Sequence, residues 1–244
     1  MNLEPWQWAL AICGGLLVGI SKTGIAGLGM LFVVIFAQIL PAKQASGVVL
    51  PLLICGDVFA VTAYRRHANW SHLGRLFPWA GAGVLIGFFA LGRIDDHQAR
   101  VLVGGIVLAL LVLHVVRRRH AQNDEPEHAA WFAPTIGVLA GFTTLVANAA
   151  GPLMAIYLLA MRLPKMEFVG TAAVFFLLLN LFKVPFMARL GLINVESLKL
   201  NAVLVPAVIA GAAVGRMILT RINQKLFELL ALVLSAVAGV RLLF

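Results

Sequence analysis

The sequence predicts an all-α integral membrane protein made of two inverted-topology repeats of about five helical segments each, the first pair in each repeat short or re-entrant. Three observations carry that reading: a composition unsuited to a soluble surface, a series of continuous apolar runs, and a likeness between the two halves of the chain.

Of 244 residues, 61% are hydrophobic and 12% charged, with a mean hydropathy of +0.97, whereas ordinary globular chains carry about 25% charged residues. Apolar segments recur throughout, so residues 1–244 are expected to form a single transmembrane domain with no soluble module. The start "MNLEPWQW" has Glu4 and no basic stretch, so the first apolar run is expected to be retained rather than cleaved. A net charge of +9 would raise nucleic acid in a soluble protein. Here the charges fall in short loops, where they set topology, and no nucleic-acid partner is expected. Cys13 and Cys55 lie inside apolar runs without metal-ligand spacing, so neither a metal nor a cofactor is expected.

The apolar segments run approximately over 6–20, 28–40, 47–64, 76–91, 101–116, 132–146, 152–161, 169–187, 200–216 and 226–243. They are continuous and do not alternate with period two, which selects helices over barrel strands. A crossing helix needs about 20 residues. The run 152–161 falls well short and the two runs flanking "GISKTGIAGLGM" are marginal, so these read as half-helices.

Self-comparison explains the pattern. "GISKTGIAGLGMLFVVIFAQILPAKQASG" lies on "GFTTLVANAAGPLMAIYLLAMRLPKMEFVG", pairing Gly19 with Gly141, Ser21 with Thr143, Gly29 with Gly151, Pro41 with Pro164 and Gly47 with Gly170. Further on, Asp57 falls on Asn180, Pro78 on Pro206, Gly83 on Gly211, Gly87 on Gly215 and Arg93 on Arg221. Leu, Ala and Val match by chance in any apolar chain; the ordered Gly, Pro, Asp/Asn and Arg matches carry the argument. The repeats span about 6–116 and 132–244, joined by a polar linker over 117–131. An odd number of segments per repeat inverts the second repeat relative to the first, the plan of many secondary transporters.

Loop charge supplies an orientation. One side receives Arg65, Arg66, Arg75, Arg117, Arg118, Arg119, Arg162, Lys165, Arg216, Arg221 and Lys225, and the other Lys43, Arg93, Arg100, Arg189, Lys199 and Arg241. The richer side is expected in the cytoplasm, with both termini outside and the chain multi-pass in the inner membrane.

Backbone that leaves the helix at membrane depth survives only when buried in protein or lining a wet cavity. "SKTGIAGLG" and "TTLVANAAGP" are therefore expected to face the bundle centre, Gly24, Gly27, Gly29 and Gly151 permitting close backbone approach. Each following half-helix would aim free N–H groups and its positive end inward. Ser21, Thr23, Thr143, Thr144 and Asn148 add donors and Lys22 adds a charge, a set suited to an anion. Duller readings stand beside these: the hydroxyls bonding a carbonyl one turn back, Lys22 reaching an interface, and "GGLLVG" and "GAGVLIG" serving helix packing.

Two more ionisable residues lie inside long segments, Asp57 and Lys183, and function is the default expectation for intramembrane charge. Asn180, the repeat mate of Asp57, sits one turn before Lys183. Two readings stay open: Asp57 and Lys183 as a neutralising pair, or Asp57 as a proton-coupling residue with Lys183 free for the substrate.

"GISKTG" lacks the adjacent Gly-Lys of a phosphate-binding loop, and the chain has no G-x-S-x-G, H-E-x-x-H or intramembrane His/Asp cluster. No enzyme activity is expected. The two halves, the glycine-rich break early in each and the chain length resemble the sulfite exporter TauE/SafE family, also called the toluene-sulfonate uptake permease family, from about Leu10 to Leu243. The resemblance implies a secondary transporter of sulfite, sulfonates or related organic anions. Ser21-Lys22-Thr23 departs from the family's commoner triple glycine, and the extra lysine fits an anionic ligand. The expected partners are the lipid bilayer and a small anionic substrate, with a homodimer left open. A passive anion channel is the alternative.

Overall fold

The computed structural model describes residues 4–24, 28–40, 42–91, 93, 95–120 and 131–243. Among them the chain is helical and contains no strand. The elements in order are α1 (Pro5–Thr23), α2 (Gly29–Ile39), α3 (Ala42–Tyr64), a 3-10 turn (Arg65–His67), α4 (Trp70–Leu91), α5 (Asp96–His120), α6 (Phe132–Ala147), α7 (Ala150–Ala160), α8 (Lys165–Arg189), α9 (Val195–Arg221) and α10 (Gln224–Leu243).

Among the described residues, four stretches are long and apolar enough to cross a bilayer: Gly47–His67, Trp70–Ala90, Lys165–Arg189 and Val195–Arg221. Val101–Val116, Phe132–Ala147 and Ala150–Ala160 are shorter apolar helices. Large apolar side chains such as Trp70, Phe89, Val112 and Val203 lie exposed on the outside, as lipid-facing residues would.

Local signals explain the helix ends. Pro5 opens α1 behind a capping box between Glu4 and Gln7. At α9, Asn194 Oδ1 accepts from the Ser197 N–H at 2.9 Å while Ser197 Oγ accepts from the Asn194 N–H at 3.0 Å. The interior prolines Pro51, Pro78, Pro185 and Pro206 are carried inside α3, α4, α8 and α9.

Glycines set the packing. α1 lies against α9 so closely that a Cβ on Gly19 would land on the Val208 carbonyl, and one on Gly211 would land on the Leu16 carbonyl. α6 lies against α4 in the same manner, with Gly141 on the Ala80 carbonyl and Gly83 on the Val138 carbonyl. Backbones in contact gain dispersion that larger side chains would forbid. "GGLLVG" and "GAGVLIG" thus do serve helix packing. α3 and α8 pack on each other between these two pairs, and α5 packs on α10.

Two element boundaries differ from the sequence reading. The first break begins later than "SKTGIAGLG" suggested, because Ser21, Lys22 and Thr23 continue α1 and only Gly24 ends it, its N–H bonded to the Ile20 carbonyl at 2.8 Å. Nothing in Ser-Lys-Thr forbids helix, whereas glycine costs about 1 kcal/mol there. α5 likewise runs on through His120 into the stretch expected as linker, of which 121–130 lie outside the described residues.

Candidate functional site

Two helices, α1 and α6, end at one cavity, which Gly24 and Asn148 both line. α6 ends at Asn148, which takes the left-handed conformation (φ 51°, ψ 30°). Its N–H reaches the Thr144 carbonyl at 3.0 Å and the next N–H, of Ala149, reaches the Thr143 carbonyl at 3.2 Å. Asparagine tolerates this conformation better than other side-chain-bearing residues, so it stops the helix where the sequence has no glycine. α7 starts at Ala150 and α2 at Gly29, and Gly29 and Gly151 both line a cavity of about 80 Å³. The first N–H groups of a helix have no partner within it, so each start presents donors and a partial positive charge.

The polar wall is formed by Ser21, Lys22, Gly24, Asp57, Thr144, Asn148 and Asn180. Lys22 Nζ lies 2.8 Å from Asp57 Oδ1. This is an ion pair by distance. The same ammonium stands 4.6 Å from the centre of the Phe176 ring, a cation–π contact. Asn180 Nδ2 donates to Asp57 Oδ2 at 2.7 Å. Both residues line the cavity, Asp57 fully buried and the Lys22 side chain 11% exposed.

Lys183 stands one layer behind. Fully buried, its Nζ donates to Asn148 Oδ1 at 2.7 Å, Thr144 Oγ1 at 3.1 Å and Asn180 Oδ1 at 3.5 Å, which engages all three of its donors. A continuous polar chain therefore runs from Lys22 through Asp57 and Asn180 to Lys183 and the end of α6. Asp57 takes Lys22 as its ion-pair partner, where the sequence reading had offered Lys183. Lys22 is nearer because its helix turn faces Gly56, whose missing side chain leaves room for the lysine stem.

The remaining wall is apolar: Phe32, Leu53, Met154, Phe168, Val169 and Phe176 with several alanines. These were not read from the sequence. Their signal is positional, since Leu53 precedes Asp57 and Phe176 precedes Asn180 by four residues, one helical turn on the same face.

Of the residues expected at the site, Ser21, Lys22, Gly24, Gly29, Asp57, Thr144, Asn148, Gly151 and Asn180 line this one cavity. Thr23 does not. Its hydroxyl bonds the Ala212 carbonyl at 2.7 Å and the Gly19 carbonyl at 3.0 Å, fastening α1 to α9. Thr143 is buried with its hydroxyl on the Ala140 carbonyl at 3.3 Å. Ser21 likewise bonds back to Val18, at 2.9 Å, while remaining at the cavity edge. Gly27 lies outside the described residues. Among the described residues no cluster of His, Cys, Asp and Glu could hold a metal.

A family model described as "Sulfite exporter TauE/SafE" matches residues 11–242. The chain belongs to the sulfite exporter TauE/SafE family. No curated protein and no solved structure matches it. TauE/SafE proteins are membrane exporters rather than enzymes, and the four long apolar helices agree with a membrane protein.

Proposed function

We propose that this TauE/SafE protein is a secondary active transporter that moves a small sulfur-containing or organic anion across the inner membrane by alternating access, using the cavity between the two helix breaks as its binding site. The observation that carries the proposal is the convergence of the Lys22 ammonium and the starts of α2 and α7 on one cavity. A singly charged oxyanion would find there a cation, backbone N–H donors and amide or hydroxyl groups from Asn148, Thr144 and Ser21.

The transport cycle follows from an inverted repeat. What supports the repeat is reciprocal packing: the first helix of each half lies against the fourth of the other, α1 on α9 and α6 on α4, through glycines that self-comparison pairs. Such a framework rocks about a site fixed near its centre. Asp57 is proposed to couple transport to a proton gradient, being a fully buried carboxylate in direct contact with the lysine proposed to bind substrate.

A thermal-shift screen of the purified protein against sulfite, thiosulfate, methanesulfonate, acetate and chloride tests the site, because a ligand of the native state raises its melting temperature. Stabilisation by one of the first three, lost in Lys22→Gln, is the expected result; stabilisation by none of them contradicts the proposal.

A further inference from the structure

The lysine that faces the cavity is already engaged by an anion, and that anion belongs to the protein. Among the described residues Lys22 is the cation that lines the cavity, since Lys183 stands behind the wall with its donors bound to Asn148, Thr144 and Asn180. A substrate oxyanion and the Asp57 carboxylate are chemically alike and need the same ammonium. Resting on the reading that the cavity takes an anion, we infer that Asp57 is a tethered competitor: its carboxylate occupies Lys22 in the empty site, and the substrate binds by displacing it.

Three features of the site bear on this. First, Asp57 is held from its other side, with Oδ2 accepting from Asn180 at 2.7 Å, so it keeps a partner when Lys22 leaves. Second, Lys22 carries its charge on a flexible stem and lines the cavity beside Asp57, so the ammonium can turn from the carboxylate to a ligand without moving its helix. Third, the fold does not require the pair. Self-comparison sets Thr144 against Lys22 and Asn180 against Asp57, so the second half packs its equivalent helices with neutral residues at both places. A charged pair that only one half carries is an addition to the framework and not part of it.

The consequence for binding is quantitative. Apparent affinity is the intrinsic affinity reduced by the fraction of molecules in which the binding group is free. Removing the carboxylate should therefore tighten substrate binding, opposite to the loss expected if Asp57 contacted the substrate favourably or held the site open. Asp57→Asn preserves shape and can still accept from Asn180.

The test is calorimetric titration of sulfite into the purified full chain, comparing wild type, Asp57→Asn, Lys22→Gln and the double variant. Asp57→Asn is expected to bind sulfite at least about tenfold more tightly than wild type. Lys22→Gln should bind weakly, and adding Asp57→Asn to it should bring no gain, because the carboxylate competes only where the ammonium is present. Asp57→Asn binding no tighter than wild type, with Lys22→Gln still weakened, overturns the competitor and leaves the cavity as an anion site. Lys22→Gln binding like wild type, or no binding by any of the four, overturns the anion site and the competitor with it. Should Asp57→Asn fail to fold, Asp57→Ser removes the same charge and answers to the same outcomes.

Discussion

Asn180 Nδ2 donates to Asp57 Oδ2 over 2.7 Å, so two residues that self-comparison pairs across the halves of the chain touch one another. Equivalent residues of two repeats can meet only where the axis relating the repeats passes. The contact therefore lies where an inverted repeat would put its centre, and α3 and α8, which carry the two residues, pack on each other there.

The ion pair one step from this contact should behave as a unit. Lys22→Met leaves the buried Asp57 carboxylate without its cation and is expected to destabilise by about 3–5 kcal/mol, with much of that recovered in Lys22→Met/Asp57→Asn. Denaturation of the four proteins in detergent measures the cycle. Lys183→Met should not be rescued by Asp57→Asn, because its partners at the end of α6 are Asn148 and Thr144.

Asn148 combines a backbone and a side-chain role. Asn148→Ala loses both the tolerated left-handed conformation and the acceptor for Lys183, and should cost about 1–2 kcal/mol more than Asn148→Gly, which loses the side chain but keeps the backbone freedom. Asn148→Asp keeps both but adds a carboxylate to the cavity wall. Its melting temperature should stay near that of wild type while sulfite affinity falls.

Thr23 and Lys22 are neighbours with separable duties. Thr23→Val removes the hydroxyl that ties α1 to Ala212 of α9 and should destabilise by about 1–3 kcal/mol. Sulfite affinity should be retained, since Thr23 does not line the cavity. A loss of affinity without loss of stability would place Thr23 at the substrate instead.

Glycine substitutions test the packing. Gly19→Ala and Gly141→Ala drive a methyl group into the facing carbonyls of Val208 and Ala80, and each should destabilise by about 1–3 kcal/mol or more. Gly105→Ala meets nothing within 4 Å and should instead raise helix stability by up to about 1 kcal/mol. Melting temperatures of the three variants decide this.

Much of the site was legible because breaking a helix in a membrane leaves a mark in sequence. Gly24 and Gly29 bound one break, and the Asn148-Ala149-Ala150-Gly151-Pro152 run marks the other, so the lining residues Ser21, Lys22, Gly24, Gly29, Thr144, Asn148 and Gly151 could be named in advance. The repeat mates Asp57 and Asn180 were likewise found by alignment of the halves. What sequence left open was which charges meet. Asp57, Lys22 and Lys183 lie on three different helices, and their pairing depends on helix rotation, which Gly56 and the glycine crossings of α1 fix only once the bundle is packed. The apolar wall was missed for a related reason: Phe176 and Met154 resemble dozens of other apolar residues until a cavity singles them out. Hydroxyl roles were the least legible. Ser21, Thr23 and Thr143 all bond back into their own helices, an option that spacing alone leaves equal to a ligand contact.

The most direct measurement is sulfite flux in proteoliposomes holding the purified protein, recorded as initial rate against sulfite concentration with and without a pH gradient. A transporter working by alternating access around the Lys22 cavity predicts a rate that saturates, responds to the gradient, and falls at least about tenfold in Lys22→Gln at low sulfite concentration. A rate that rises linearly without saturation, indifferent to the gradient and equal in Lys22→Gln, would contradict it and describe a passive anion channel.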